Sequence, residues 1–250
     1  MLSCIVPAHD EAALIGATLD ALRAAADALR LDHEIVVVDD ASTDATGAIA
    51  AARGARVLRV GHRQIAATRN AGAAAARGER LLFVDADTLV DARVLAAAMA
   101  AMDHGAVGGG CTVRLSAAAT PGERVLTAAF MRGLRLARIA PGCFLFCTRA
   151  AFDAVGGFDE RWYAGEDVAM SRALAGRGRF VILRESVRTS DRKLRTFGVG
   201  EHLRLMARFA LRGRGMLRSR DALALWYERR DPRPPHDRDR DRERERGKPP

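Results

Sequence analysis

Carboxylates stand at the ends of three apolar runs. Leu2 to Pro7 leads into Pro7-Ala8-His9-Asp10-Glu11, and Glu34 to Val38 leads into Val38-Asp39-Asp40-Ala41-Ser42-Thr43-Asp44. Arg80 to Val84 leads into Phe83-Val84-Asp85-Ala86-Asp87-Thr88. Asp85-Ala86-Asp87 is the sharpest of the three, because residues two apart in extended chain point to one side. One or both of these carboxylates can hold a hard divalent cation whose other ligands are phosphate oxygens and water. A bare Asp-x-Asp arises by chance in many proteins, and its place after an apolar run is what gives it weight. Any one of these acids can equally cap a helix, a reading open for Asp10 and Asp44. Three acidic strand ends at one rim would repel each other unless a cation or a donor-rich ligand compensated them. A further pair, in Gly165-Glu166-Asp167, opens a predicted helix after Trp162-Tyr163-Ala164-Gly165. Acids in a first helical turn at least complement the helix dipole.

The elements that must position these groups alternate. Leu2 to Pro7 reads as a strand, and Glu11 to Leu29 as a helix with Leu14, Ile15, Leu19 and Leu22 on one side. Strand Glu34–Val38, helix Asp44–Arg53, strand Arg56–Val60, helix Gln64–Ala76, strand Arg80–Val84 and helix Asp91–Met102 follow. This order, with continuously apolar strands, predicts an α/β fold: a Rossmann-like, mainly parallel central sheet with helices on both faces. Ligands of such sheets bind beyond the carboxyl ends of the strands, where the acids lie. The second half is less regular, with strands expected at Ala106–Leu115, Gly142–Thr148 and Phe180–Leu183, and helices at Glu123–Arg138 and Glu166–Arg177. Residues 1–190 form the expected catalytic domain, 191–230 a basic amphipathic helical extension and 231–250 a disordered tail.

Hydrophobic residues make up 49% of the 250, enough for one large core. Aromatic residues are only 5%, which leaves few stacking platforms for nucleic acid, and none is expected as a partner. The net charge of +9 comes largely from beyond Arg188. Cys143 and Cys147 are too far apart for a CxxC pair, so the cysteines, Cys4 and Cys111 included, read as reduced core thiols. The amino terminus lacks a basic signal-peptide region and no apolar run reaches membrane-spanning length, so a cytoplasmic location is the default expectation. Arg204, Arg208 and Arg212 recur every four residues, so residues 202–217 could lie peripherally on the inner face of an anionic membrane or pack on the catalytic domain.

The ordered set of motifs resembles family 2 glycosyltransferases of the GT-A fold. It comprises the three strand-end motifs together with Arg69-Asn70-Ala71-Gly72, Gly156-Gly157-Phe158-Asp159-Glu160 and Gly165-Glu166-Asp167, within residues 2–190. The resemblance implies a hexosyltransferase that takes a sugar from a nucleoside-diphosphate donor, with UDP favoured and GDP or TDP open. In it, Pro7, Asp10 and Glu11 border the nucleotide, Asp40 accepts from the base, and Arg69 approaches the diphosphate. Asp85 lies near ribose and metal, and Asp87 binds the metal, Mg2+ or Mn2+. Asp167 is the catalytic base, with Glu166 supporting it or contacting the acceptor, and transfer inverts the anomeric carbon. The Gln-x-x-Arg-Trp motif of processive members is absent, and the stretch Glu185–Arg192 lacks the histidine that many relatives offer as a metal ligand after the last core strand; Arg192, Lys193 or Arg195 could instead clamp the diphosphate. The acceptor is left undefined, a lipid-linked one being compatible with a membrane-bound extension.

Two other classes fit less of the chain. A nucleotidyltransferase would carry a glycine-rich phosphate loop after the first strand, and a dinucleotide oxidoreductase a G-x-G-x-x-G; this chain has Pro-Ala-His-Asp-Glu there. A non-enzymatic basic protein binding nucleic acid or a membrane surface would use the arginines but leave the acidic rim unexplained. Gly108-Gly109-Gly110 reads as tight packing or a bend.

Overall fold

The computed structural model describes residues 1–114 and 132–190. In chain order the elements are β1 (Leu2–Ala8), α1 (Ile15–Ala28), β2 (His33–Asp40), α2 (Thr46–Ala52), β3 (Arg56–Val60), α3 (Ile65–Ala75), β4 (Arg80–Val84) and β5 (Thr88–Leu89). Then follow α4 (Ala92–Asp103), β6 (Ala106–Arg114), β7 (Phe144–Thr148), α5 (Arg149–Val155), α6 (Glu166–Ala175) and β8 (Arg179–Thr189). The extension with residues 202–217, the tail, and Arg192, Lys193 and Arg195 lie outside the described residues, as does most of the expected helix Glu123–Arg138. Residues 132–136 of that helix are helical.

The strands join one sheet in the order β3-β2-β1-β4-β7-β6-β8-β5. β1, β2, β3 and β4 run parallel, as the alternation of strands and helices predicts. β7 enters antiparallel between β4 and β6, and β8 returns parallel to β6 while pairing antiparallel with β5. Helices cover both faces, which is why β1 is buried along its whole length. Alternate residues of each strand feed separate cores. Cys4, Val6, Leu82 and Val84 pack with Ile15, Leu19 and Leu22 of α1 and Leu95 and Met99 of α4. Ile5, Val38, Leu81 and Phe83 pack with Ala66 and Ala73 of α3, Phe152 of α5, and Met170 and Leu174 of α6.

α3 lies close on the sheet. A Cβ on Gly72 would stand 2.5 Å from Ile5 Cγ2 and 2.8 Å from Val38 Cγ2. The triple glycine in β6 is likewise a packing feature, since a Cβ on Gly109 would meet the Val181 carbonyl oxygen at 2.2 Å. Because β7 runs against β4, with Phe144 opposite Val84, the start of β7 lies at the same rim as the carboxyl ends of β1, β2 and β4. Gly142 and Cys143 thereby reach the acidic motifs.

Candidate active site

A cavity of about 480 Å³ opens at this rim, and its walls include Pro7, Glu11, Asp40, Arg69, Asp85, Asp87, Glu166 and Asp167. Eight of the nine residues singled out in the sequence thus surround one space. Asp10 is the exception. Its backbone takes φ 54, and its Oδ1 accepts from the backbone N–H of Thr43 at 2.7 Å and of Asp44 at 3.2 Å. Asp44 in turn accepts from Ala12 N–H at 3.1 Å and Thr46 N–H at 2.9 Å. These two aspartates lace the loops after β1 and β2 together, which holds the neighbouring Glu11 and His9 at the cavity. The His9 Nδ1 lies 2.8 Å from the Asp40 carbonyl oxygen, which can only accept, so Nδ1 carries the proton.

Asp40 ends β2 at the mouth of α3. Its Oδ1 accepts from Arg63 N–H at 2.9 Å, and its Oδ2 from Gln64 N–H at 3.2 Å and Thr68 Oγ1–H at 2.7 Å. The backbone N–H groups at the amino end of α3 and the Thr68 hydroxyl therefore hold this 5%-exposed carboxyl group in one orientation. A carboxylate offers about four lone-pair directions, which leaves capacity for one ligand N–H.

The Asp85-Ala86-Asp87 motif is a turn and not the extended pair expected from its spacing. The Thr88 N–H donates to the Asp85 carbonyl at 3.0 Å, while the Ala86 carbonyl accepts from Thr18 Oγ1–H at 2.8 Å. Both carboxylates still face the cavity, and Asp87 Oδ1 lies 3.2 Å from the Thr189 hydroxyl on β8.

Gly165 starts α6 with φ 76, a left-handed conformation that glycine adopts without steric cost. The turn delivers Glu166 and Asp167 into the cavity wall. Asp167 Oδ1 accepts from Val168 N–H at 2.8 Å. Although Asp167 is open to the cavity on one side, burial by the cavity walls and then the Glu166 charge raise its carboxyl from 3.8 to about 7, against the lowering pull of Arg69. A carboxylate poised there suits proton abstraction near neutral pH.

Each polar residue of Arg69-Asn70-Ala71-Gly72 has a separate task. The buried Arg69 donates from Nη1 to Glu166 Oε1 at 2.7 Å, and from Nη2 to Asp85 Oδ1 at 2.9 Å and the Gly142 carbonyl at 2.8 Å. Asn70 exchanges hydrogen bonds with the backbone of Phe158, tying α3 to the Gly156–Glu160 motif. In that motif Asp159 does not line the active-site cavity: hydrogen bonds from the Arg161 side chain hold its carboxyl well below the usual range. Sequence reasoning missed Gln64, which caps α3 by accepting from Ala67 N–H at 3.2 Å and donates from its side chain to the Glu160 and Trp162 carbonyls. Gln64 and Thr68, four apart in an otherwise alanine-rich helix, were the available signal.

For a divalent cation, Asp85 and Asp87 offer hard oxygen donors. No group of three or more His, Cys, Asp or Glu arranged to hold a metal exists among the described residues. The pair fits a cation that completes its shell with phosphate and water, and does not form a cage of its own. All four cysteines are free, and burial pushes the Cys4 and Cys111 thiols up to about 12. No described helix is long and apolar enough to cross a membrane.

The curled mixed sheet flanked by helices matches that of the GT-A glycosyltransferases. Residues 3–151 match glycosyl transferase family 2, more than half of the 250, and the chain belongs to that family. Among solved structures it is similar to S. aureus TarS 1–349 in complex with UDP-GlcNAc, at 21% identity and TM-score 0.61, covering 76% of this chain and 58% of that one. It is also similar to the mannosyltransferase PcManGT from Pyrobaculum calidifontis in complex with GDP-Man and Mn2+, at 22% identity and TM-score 0.66, covering 87% and 62%. A third is glucosyl-3-phosphoglycerate synthase from Mycobacterium tuberculosis in complex with Mn2+, UDP and phosphoglyceric acid, at 18% identity and TM-score 0.59, covering 92% and 80%. The chain thus spans about three fifths of the first two. No curated protein sequence matches it.

Proposed function

We propose that the protein is an inverting, non-processive glycosyltransferase that moves a sugar from a nucleoside-diphosphate donor to an acceptor hydroxyl. The observation that carries this reading is the meeting of Asp40, Asp87 and Asp167, from three distant chain segments, around one cavity. Asp40 receives an N–H of the base. Pro7 and Glu11 border the nucleotide, and Asp85 and Asp87 face its diphosphate. A divalent cation held by Asp87 and Asp85, Mg2+ or Mn2+, would offset the charge that develops on the departing diphosphate.

Asp167, in the same cavity wall, accepts the acceptor's hydroxyl proton as that oxygen attacks the anomeric carbon. The bond from that carbon to the phosphate oxygen breaks, its electron pair leaves with the nucleoside diphosphate, and the configuration inverts. The relatives crystallised with UDP-GlcNAc, GDP-Man and UDP support a UDP- or GDP-linked donor. A lipid-linked acceptor would place the basic sequence of residues 202–217 against an anionic membrane, and sedimentation with anionic vesicles at low salt tests that contact.

A screen of UDP- and GDP-sugars for donor turnover, with the anomeric configuration of the product read by NMR, tests the assignment. The expected result is turnover with inversion that falls by about 100-fold or more in Asp167→Asn. Retention of configuration, or an undiminished Asp167→Asn, contradicts it.

A further inference from the structure

The structure assigns Arg69 a task other than holding the diphosphate: we propose that it is a positioning residue that locks the donor side of the cavity to the acceptor side. This rests on the functional reading above and deepens it. The guanidinium lies between Asp85, at the end of β4, and Glu166, at the start of α6. Its side chain is 3% exposed, against 32% for Asp85 and 10% for Glu166.

The accounting of its N–H groups decides the matter. Both Nη2 hydrogens are taken, by Asp85 Oδ1 and by the Gly142 carbonyl. Nη1 spends one on Glu166 Oε1. Nε is buried without a partner, and the plane sits over the Phe158 ring with Cζ 5.3 Å from its centroid. A diphosphate clamp needs a free fork of parallel N–H groups, and this arginine has none to turn outward.

What the fork does hold is three backbone segments that sequence separates widely: the turn after β4, the approach to β7 and the first turn of α6. The Asp167 carboxylate belongs to the same knot, since a Cβ on Gly142 would lie 3.2 Å from Asp167 Oδ2 and 3.4 Å from Arg69 Nη2. Arg69 therefore fixes the distance between the carboxylates facing the donor and the base facing the acceptor. Lysine would keep the charge but offers a single ammonium head, which cannot reproduce the planar fork that reaches both carboxylates and the carbonyl.

Arg69→Lys in the full chain, with UDP-GlcNAc and GDP-mannose as donors and water as acceptor, tests this directly. Expected are a melting temperature near wild type, Mn2+-dependent affinity for UDP or GDP within about threefold, and kcat lowered by about 100-fold with little change in donor KM, the cost of a misplaced reacting group. A loss confined to donor KM and nucleotide affinity would return Arg69 to the diphosphate, and kcat within about twofold of wild type would remove it from the reaction; either result overturns the proposal.

If the lysine variant fails to fold, the pair Arg69→Met and Arg69→Met/Glu166→Gln decides. Removing the charge of Glu166, the more buried of the two carboxylates left unpaired, should recover melting temperature but not turnover. Turnover recovering in step with stability would make Arg69 merely structural. Wild-type protein that binds neither nucleotide defeats the glycosyltransferase reading itself. Wild-type turnover with an unimpaired Arg69→Lys defeats only the role of Arg69.

Discussion

Asp167 sits where folding and chemistry pull in opposite directions. Its carboxyl is raised from 3.8 to about 7 by burial and by Glu166, so the folded state favours the protonated form, whereas the proposed reaction needs the ionised one. A group raised in the folded state contributes stability in full below its unfolded value, and loses it as pH rises through its folded value. Asp167→Asn should therefore melt at or above the wild-type temperature at pH 8, while being inactive; a clear drop in melting temperature there would contradict the shift. Activity should fall as pH drops through about 7. Glu166→Gln removes a like charge and should move this acid limb down by about one pH unit, as neighbouring charges typically do. A limb that stays in place would assign it to another group.

The elements show why so much of the site could be read in advance. β1, β2 and β4 are buried on both faces, so their apolar runs end sharply, and the acids beyond them fall at one rim because parallel strands share a direction. What spacing could not supply was long-range. That β7 enters antiparallel beside β4 depends on pairing between residues 60 to 68 apart, and it is β7 that brings Gly142 to Arg69. β8 extends to Thr189, beyond the expected Leu183, because pairing with β6 and β5 keeps its charged stretch extended. The turn at Asp85–Thr88 and the buried placement of Arg69 were hidden for the same reason: each is set by partners from elsewhere in the chain. The contact of α3 with the sheet gives a test at this scale. Gly72→Ala would press a methyl group into Ile5 and Val38, and should cost about 1–3 kcal/mol in denaturant unfolding. An unchanged midpoint would mean that α3 can lift off the sheet freely.

Across the whole molecule charge is divided unevenly. The chain carries a net +9, yet the cavity is walled by Glu11, Asp40, Asp85, Asp87, Glu166 and Asp167 against Arg63 and Arg69 among the described residues. A diphosphate brought into that field is repelled unless a cation comes with it, so nucleotide binding should depend on the metal. Calorimetric titration of UDP and of GDP into the full chain, with and without Mn2+, measures this directly. The account predicts that at least one nucleotide binds with Mn2+ present, that binding weakens by tenfold or more, an order-of-magnitude expectation for losing a bound charge, when the metal is withdrawn, and that Asp87→Asn imitates the withdrawal. Binding of neither nucleotide, or equal binding without metal and in Asp87→Asn, would contradict it.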